Sequence, residues 1–160
     1  WGLRPGTENV AGIIGLARAV ELIDHQSSAI SRLIKLRDYF TGKVLKEIPQ
    51  TFLNGSKKNR APHIVNLYFK NVEGESMVLA LDLEDIACST GSACTSQSLE
   101  PSHVIMAVYN DHLRSAGSLR FSFSVATTKQ EVDYAIGKLK KIVKRLRSIS
   151  AIDQKEKDVS

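Results

Sequence analysis

The chain has 160 residues, 42% of them hydrophobic and 24% charged, with a formal net charge of +5. That length suits one domain with a buried core, and the balance is that of an ordinary globular protein. No apolar run nears the roughly 20 residues that span a bilayer, so no membrane association is expected.

The chain opens with Trp1 rather than Met, which points to a processed or partial chain. No basic segment leads into an apolar core, so no signal peptide is expected. Thr7 reads as a helix N-cap, with Glu8 suited to the helix dipole in the first turn. Apolar residues then recur at helical spacing through Val10, Ile13, Ile14, Ala17, Val20 and Ile23. The pattern resumes from Ile30 to Leu45, with a bend expected near 24–28 and an end at Pro49. Asn54 to Asn59 is a polar turn. Ile64 to Phe69 reads as a strand with Val65, Leu67 and Phe69 on one face.

Gly74 to Asp85 reads as a short helix, and Ile86-Ala87-Cys88 as a short buried strand. From Ser89 to Ser98 nearly every residue is Ser, Thr, Gly, Ala, Cys or Gln, the composition of an exposed loop. Pro101 is expected in the first turn of a helix through Val104, Ile105 and Val108. Gly117 to Ser124 alternates, with Leu119, Phe121 and Phe123 opposite Arg120, Ser122 and Ser124. Thr128-Lys129-Gln130-Glu131 is a capping box opening a last amphipathic helix, and the chain turns polar after Ser150. The expected class is α+β, a small sheet covered by helices, in one domain over 1–147 followed by a polar tail over 148–160.

Charge and cysteine usage narrow the chemistry. Lys138, Lys140, Lys141, Lys144, Arg145 and Arg147 crowd the last helix, where a solvated amphipathic face accounts for them. No aromatic residue interleaves with this run, and no nucleic-acid partner is expected. Cys88 and Cys94 form neither a Cys-x-x-Cys motif nor a ligand set with the histidines. So few cysteines point to a reducing, cytoplasmic setting.

Three residues stand out as candidates. Cys94 lies among small polar residues with nothing large and apolar beside it. That is the setting of an exposed nucleophile rather than of a core cysteine such as Cys88. Arg120 is either a surface residue packing its stem or a guanidinium fork for a carboxylate. Thr7, following Gly6 at a helix start, offers a hydroxyl and backbone N–H groups to a phosphate, a weak signal alone.

Several stretches together resemble one family. Arg4-Pro5-Gly6-Thr7-Glu8-Asn9, the loop Ser89-Thr90-Gly91-Ser92-Ala93-Cys94-Thr95-Ser96, and Ser98-Leu99-Glu100-Pro101-Ser102-His103-Val104 do so most closely. Leu119-Arg120-Phe121-Ser122, Ala126-Thr127-Thr128 and Glu131-Val132-Asp133 continue the match. They are similar to the C-terminal part of cysteine desulfurases, in the branch serving nitrogen fixation and general iron–sulfur assembly. These are pyridoxal-phosphate enzymes of the class V aminotransferase group, with the aspartate-aminotransferase-like fold (fold type I).

The resemblance implies conversion of L-cysteine to L-alanine, with sulfur held on Cys94 as a persulfide for an iron–sulfur scaffold or other acceptor protein. It implies that Arg120 pairs with the substrate carboxylate, and that Thr7 holds the pyridoxal 5'-phosphate phosphate across a homodimer interface. It also implies a transient iron–sulfur ligand role for Cys94. The family's cofactor-binding domain, with its Schiff-base lysine, has no counterpart in this sequence, so the chain alone is expected to be inactive. Two other readings stand beside the enzyme domain: a non-catalytic persulfide carrier or scaffold-docking module, and a transaminase relative kept for dimerisation. The cysteine-bearing loop weighs against the last.

Overall fold

The computed structural model describes residues 2, 6–23, 27–90 and 101–150. The expected α+β class is what it shows. A four-stranded antiparallel sheet in the order β1-β2-β4-β3 is built from β1 (Thr51–Leu53), β2 (Ile64–Phe69), β3 (Ser89–Thr90) and β4 (Ser118–Ser122). Six helices accompany it among the described residues: α1 (Val10–Ile23), α2 (Ser27–Glu47), α3 (Gly74–Asp82), α4 (His103–Tyr109), α5 (His112–Ala116) and α6 (Lys129–Ile149).

Alternation decides which side chains enter the core. In β2 burial alternates strictly, with Val65, Leu67 and Phe69 inward, and in β4 Leu119 and Phe121 match them. These residues pack on Phe40 and Val44 of α2, Met77 and Leu81 of α3, and Ile136, Leu139 and Val143 of α6. Phe40 sits at the centre, its ring 4.9 Å from that of Phe121 and 5.5 Å from that of Phe123. Close approach needs glycine at Gly74, where a Cβ would lie 2.8 Å from the Ala116 carbonyl oxygen. The same Cβ would lie 3.2 Å from the Ser118 carbonyl oxygen, so α3 abuts the start of the strand that carries Arg120.

The capping box forms as expected. Thr128 Oγ1 accepts from the Glu131 amide, and the Glu131 carboxylate accepts from the Thr128 amide at 2.7 Å. Several basic residues of α6 have internal partners. Lys138 pairs with Glu84, and Lys140 lies 3.3 Å from Glu47. Arg147 donates to the carbonyls of Pro49, Gln50 and Lys70, fastening the end of α6 to the turn before β1 and the end of β2.

The structure differs from the sequence reading at several places. β1 was not expected, because three residues after Pro49 carry no readable alternation. The strand expected at 86–88 forms instead at Ser89–Thr90. The helix expected after Pro101 starts at His103 and breaks at Asn110, whose backbone is left-handed at φ 48°. The helix expected to begin at Thr7 begins at Val10, and its cap is Asn9, whose Oδ1 accepts from the Gly12 amide at 3.0 Å. Residues 24–26, where the bend was expected, lie outside the described residues. α1 itself adds nothing to the core, since its residues from Val10 to Leu22 are all exposed.

Candidate functional site

The second face of the sheet is polar where the first is apolar. On it lie Asn66 and Tyr68 of β2, Ser118 and Arg120 of β4, and Phe52 of β1, with α4 and α5 above them. Asn66 is the direct cross-strand partner of Arg120 on one side, and Ser89 is its partner on the other. A cleft of about 260 Å³ opens here. Arg120, Asn66, Asn54 and Tyr109 form its polar lining, and Val104, Ile105 and Val108 of α4 its apolar wall.

Arg120 is half-buried and makes no side-chain hydrogen bond or ion pair with any of the described residues. A guanidinium has five donors and no acceptor. None of the described residues lining the cleft is acidic. Among the described residues the cleft therefore presents hydrogen-bond donors beside a positive charge with no acidic partner, which suits a carboxylate.

Beneath the cleft runs a network that the sequence reading missed. Arg114 Nε donates to Asn54 Oδ1 at 2.6 Å, and Arg114 Nη2 to the Leu53 carbonyl at 3.2 Å. Asn54 Nδ2 donates to Asn66 Oδ1 at 2.6 Å and to Ser118 Oγ at 2.8 Å. Ser118 Oγ donates to the Arg114 carbonyl at 2.6 Å, closing a ring of bonds. The Arg114 guanidinium lies 3.7 Å over the Tyr109 ring, and the Tyr109 hydroxyl accepts from the Gly55 amide at 2.7 Å. Asn66 interrupts the apolar run of β2, but only strand register could have matched it to Arg120.

Cys94 lies outside the described residues, as does residue 4 of the Arg-x-Gly-Thr segment. The points where the Cys94 segment leaves and returns are described. It leaves after Thr90, next to the Ser89 partner of Arg120, and returns at Ser102, which lines the cleft. Cys88 is half-buried against the core. Burial, with a smaller contribution from Asp82, pushes its thiol up to about 11, so it stays protonated at neutral pH.

Thr7 is exposed, three residues before α1, and follows Gly6 in the left-handed region at φ 105°. The structure does not bring it to the described cleft lining. Among the described residues no three His, Cys, Asp or Glu side chains come together to hold a metal ion. No helix among them is long and apolar enough to cross a membrane.

The sequence profile of the class-V aminotransferases matches residues 1–135. The chain belongs to this family. The class-V chain is 48% identical over 155 residues to a cysteine desulfurase IscS of Dictyoglomus turgidum, covering 96% of this chain and 39% of that protein. It is 41% identical over 153 residues to the cysteine desulfurase NifS of Azotobacter vinelandii, covering 93% of this chain and 37% of that protein. A NifS-like protein of solved structure superposes with a TM-score of 0.78 at 29% identity, over 91% of this chain and 36% of its own length. The chain thus spans about two fifths of the length of these curated relatives.

The family implies a pyridoxal phosphate cofactor, and the residues can be tested against it. The Thr7 hydroxyl suits its phosphate end, whereas at the start of α1 the Val10 and Gly12 amides are already held by Glu8 and Asn9. Its ring needs walls, and each described residue from Gly6 to Leu22 is exposed. The described N-terminal segment of this class-V chain thus offers a contact for the phosphate and none for the ring.

Proposed function

We propose that the chain is the C-terminal small domain, residues 1–147 with a polar tail over 148–160, of a pyridoxal-phosphate-dependent cysteine desulfurase. The observation that carries this reading is the cleft around Arg120, which has no acidic residue among its described lining, with the Cys94 segment starting beside the strand partner of Arg120 and ending at Ser102 in the lining. Covalent geometry allows about 3.5 Å per residue, so Cys94 is tethered within about 14 Å of Thr90. That keeps a thiol within reach of a carboxylate-bearing substrate held by Arg120. A simple persulfide carrier has no use for a carboxylate site, which favours the enzyme.

In this reading Arg120 binds the L-cysteine carboxylate and turns the substrate sulfur towards Cys94. The Cys94 thiolate attacks that sulfur, and an S–S bond forms as the substrate Cβ–S bond breaks. The electron pair stays with Cβ, which takes a proton to become the methyl group of L-alanine. Cys94 keeps the sulfur as a persulfide and passes it to an acceptor protein for iron–sulfur cluster assembly, with a transient ligand role towards a nascent cluster. Pyridoxal phosphate, when bound, supplies the electron sink for this cleavage. Thr7 holds its phosphate in the partner subunit's site of a homodimer, consistent with the bare apolar surface of α1. The scarcity of cysteine supports a cytoplasmic setting.

In the whole protein, Cys94→Ser is expected to abolish sulfide release from L-cysteine while leaving the cofactor's visible absorbance in place. Normal turnover by this variant would overturn the assignment.

A further inference from the structure

We infer that Asn66 is a second carboxylate-binding residue beside Arg120, its amide held in the donor orientation by Arg114 acting through Asn54. The inference rests on the reading of the cleft given above and adds to it a residue and a device that orients it.

Hydrogen-bond polarity fixes which way both amides face. A side-chain amide can be turned either way, and only its partners decide which end points where. Arg114 can only donate, so the Asn54 atom that meets its Nε must be the oxygen. Asn54 therefore turns its NH2 group the other way, towards Ser118 and Asn66. The Asn66 atom that meets this NH2 must in turn be an acceptor, its Oδ1. That leaves the Asn66 NH2 group, which has no partner among the described residues, as the end that faces the cleft, directly across the β2–β4 ladder from Arg120. One guanidinium thus sets the sense of two amides in series. Asn54 and Ser118 are buried, so neither amide turns without losing bonds that solvent does not replace.

The result is a pair of donors on neighbouring strands, one charged and one neutral, with an apolar wall opposite. Two oxygens on one carbon meet both donors. An amine or thiol offers one acceptor at most and no negative charge, so it meets one donor rather than both.

The test uses the whole protein and a same-size change at the amide that links Arg114 to Asn66. Asn54→Asp keeps an acceptor for Arg114 but can no longer donate to Asn66. Asn66 must then turn its NH2 group to the new carboxylate and show its oxygen to the substrate carboxylate. KM for L-cysteine is expected to rise roughly ten- to hundredfold, the scale of one hydrogen bond to a charged group. The turnover number is expected to stay within about twofold, and inhibition by cysteamine, which lacks only the carboxylate, to be unchanged. Asn66→Ala is expected to raise KM alone in the same way, and the double variant to add nothing to it.

An unchanged cysteine KM in Asn66→Ala would overturn the inference, whatever Asn54→Asp does. So would a parallel shift of turnover, KM and cysteamine inhibition, which marks a role in folding only. Arg120→Ala separates the two levels. If it raises KM while Asn66→Ala does not, only the role of Asn66 falls. If it too leaves KM unchanged, the carboxylate reading of the cleft falls with it.

Discussion

Phe40 is the seat on which the Arg120 strand rests, and replacing it should show. Its side chain is 1% exposed, and it touches both Phe121 of β4 and Phe123 just beyond the strand's end. Truncation of a buried phenylalanine costs about 3–5 kcal/mol, from lost transfer energy and the cavity left behind. Each of the two ring pairs accounts for roughly 0.5–1.5 kcal/mol of that. Phe40→Leu keeps most of the volume and forfeits mainly the ring contacts, so it should cost about 1–3 kcal/mol. Against a total stability on the order of 5–15 kcal/mol, the alanine variant loses a large part of its margin. Guanidinium unfolding followed by circular dichroism measures both variants, and the midpoint should fall with little change in slope. A loss under about 1 kcal/mol for Phe40→Ala would refute the placement of Phe40 at the core centre. Equal losses for Ala and Leu would refute the division between cavity and ring contacts.

Two further outcomes follow from the α6 side of the molecule. Thr128→Ala removes the Oγ1 acceptor of the capping box and should cost about 1 kcal/mol in the same unfolding experiment, with Thr128→Ser close to wild type. Asp133 accepts from Lys129 at 2.7 Å, from Tyr39 at 2.5 Å and from Lys43 at 3.3 Å, and these bonds hold its carboxyl well below the usual carboxylate range. A carboxyl with a depressed folded-state pKa adds stability that is full above the unfolded value of about 3.9 and is lost as pH falls towards the folded value. Melting temperatures followed down from pH 5 should therefore drop more steeply for wild type than for Asp133→Asn, and parallel curves would contradict the role of this ion cluster.

How much of this was legible beforehand depends on the range of the interaction. The Thr128 cap, the alternation of β2 and β4 and the stripe of α6 are set by residues within one turn or one strand, and their periods stand in the sequence. The misplacements are also local, but they are contests between near neighbours. Asn9 outcompetes Thr7 as the cap of α1, and Asn110 breaks a helix whose apolar spacing gave no warning.

Arg120 was visible as a polar residue on an alternating strand. Whether it was a surface residue or a binding residue turned on what stood across from it, and that is a matter of register. The order β1-β2-β4-β3 brings together residues 54, 66, 114 and 120, which no local period connects. Asn54 reads as part of a polar turn, and Asn66 carries no signal of its own in the sequence. Each acquires chemical meaning only when β2 is laid antiparallel between β1 and β4. The motif around Cys94 names a chemistry by resemblance. The physical support for it comes from the strand beside it, where an arginine without a partner among the described residues faces an apolar wall and the amide across the ladder has only its donor end left to offer.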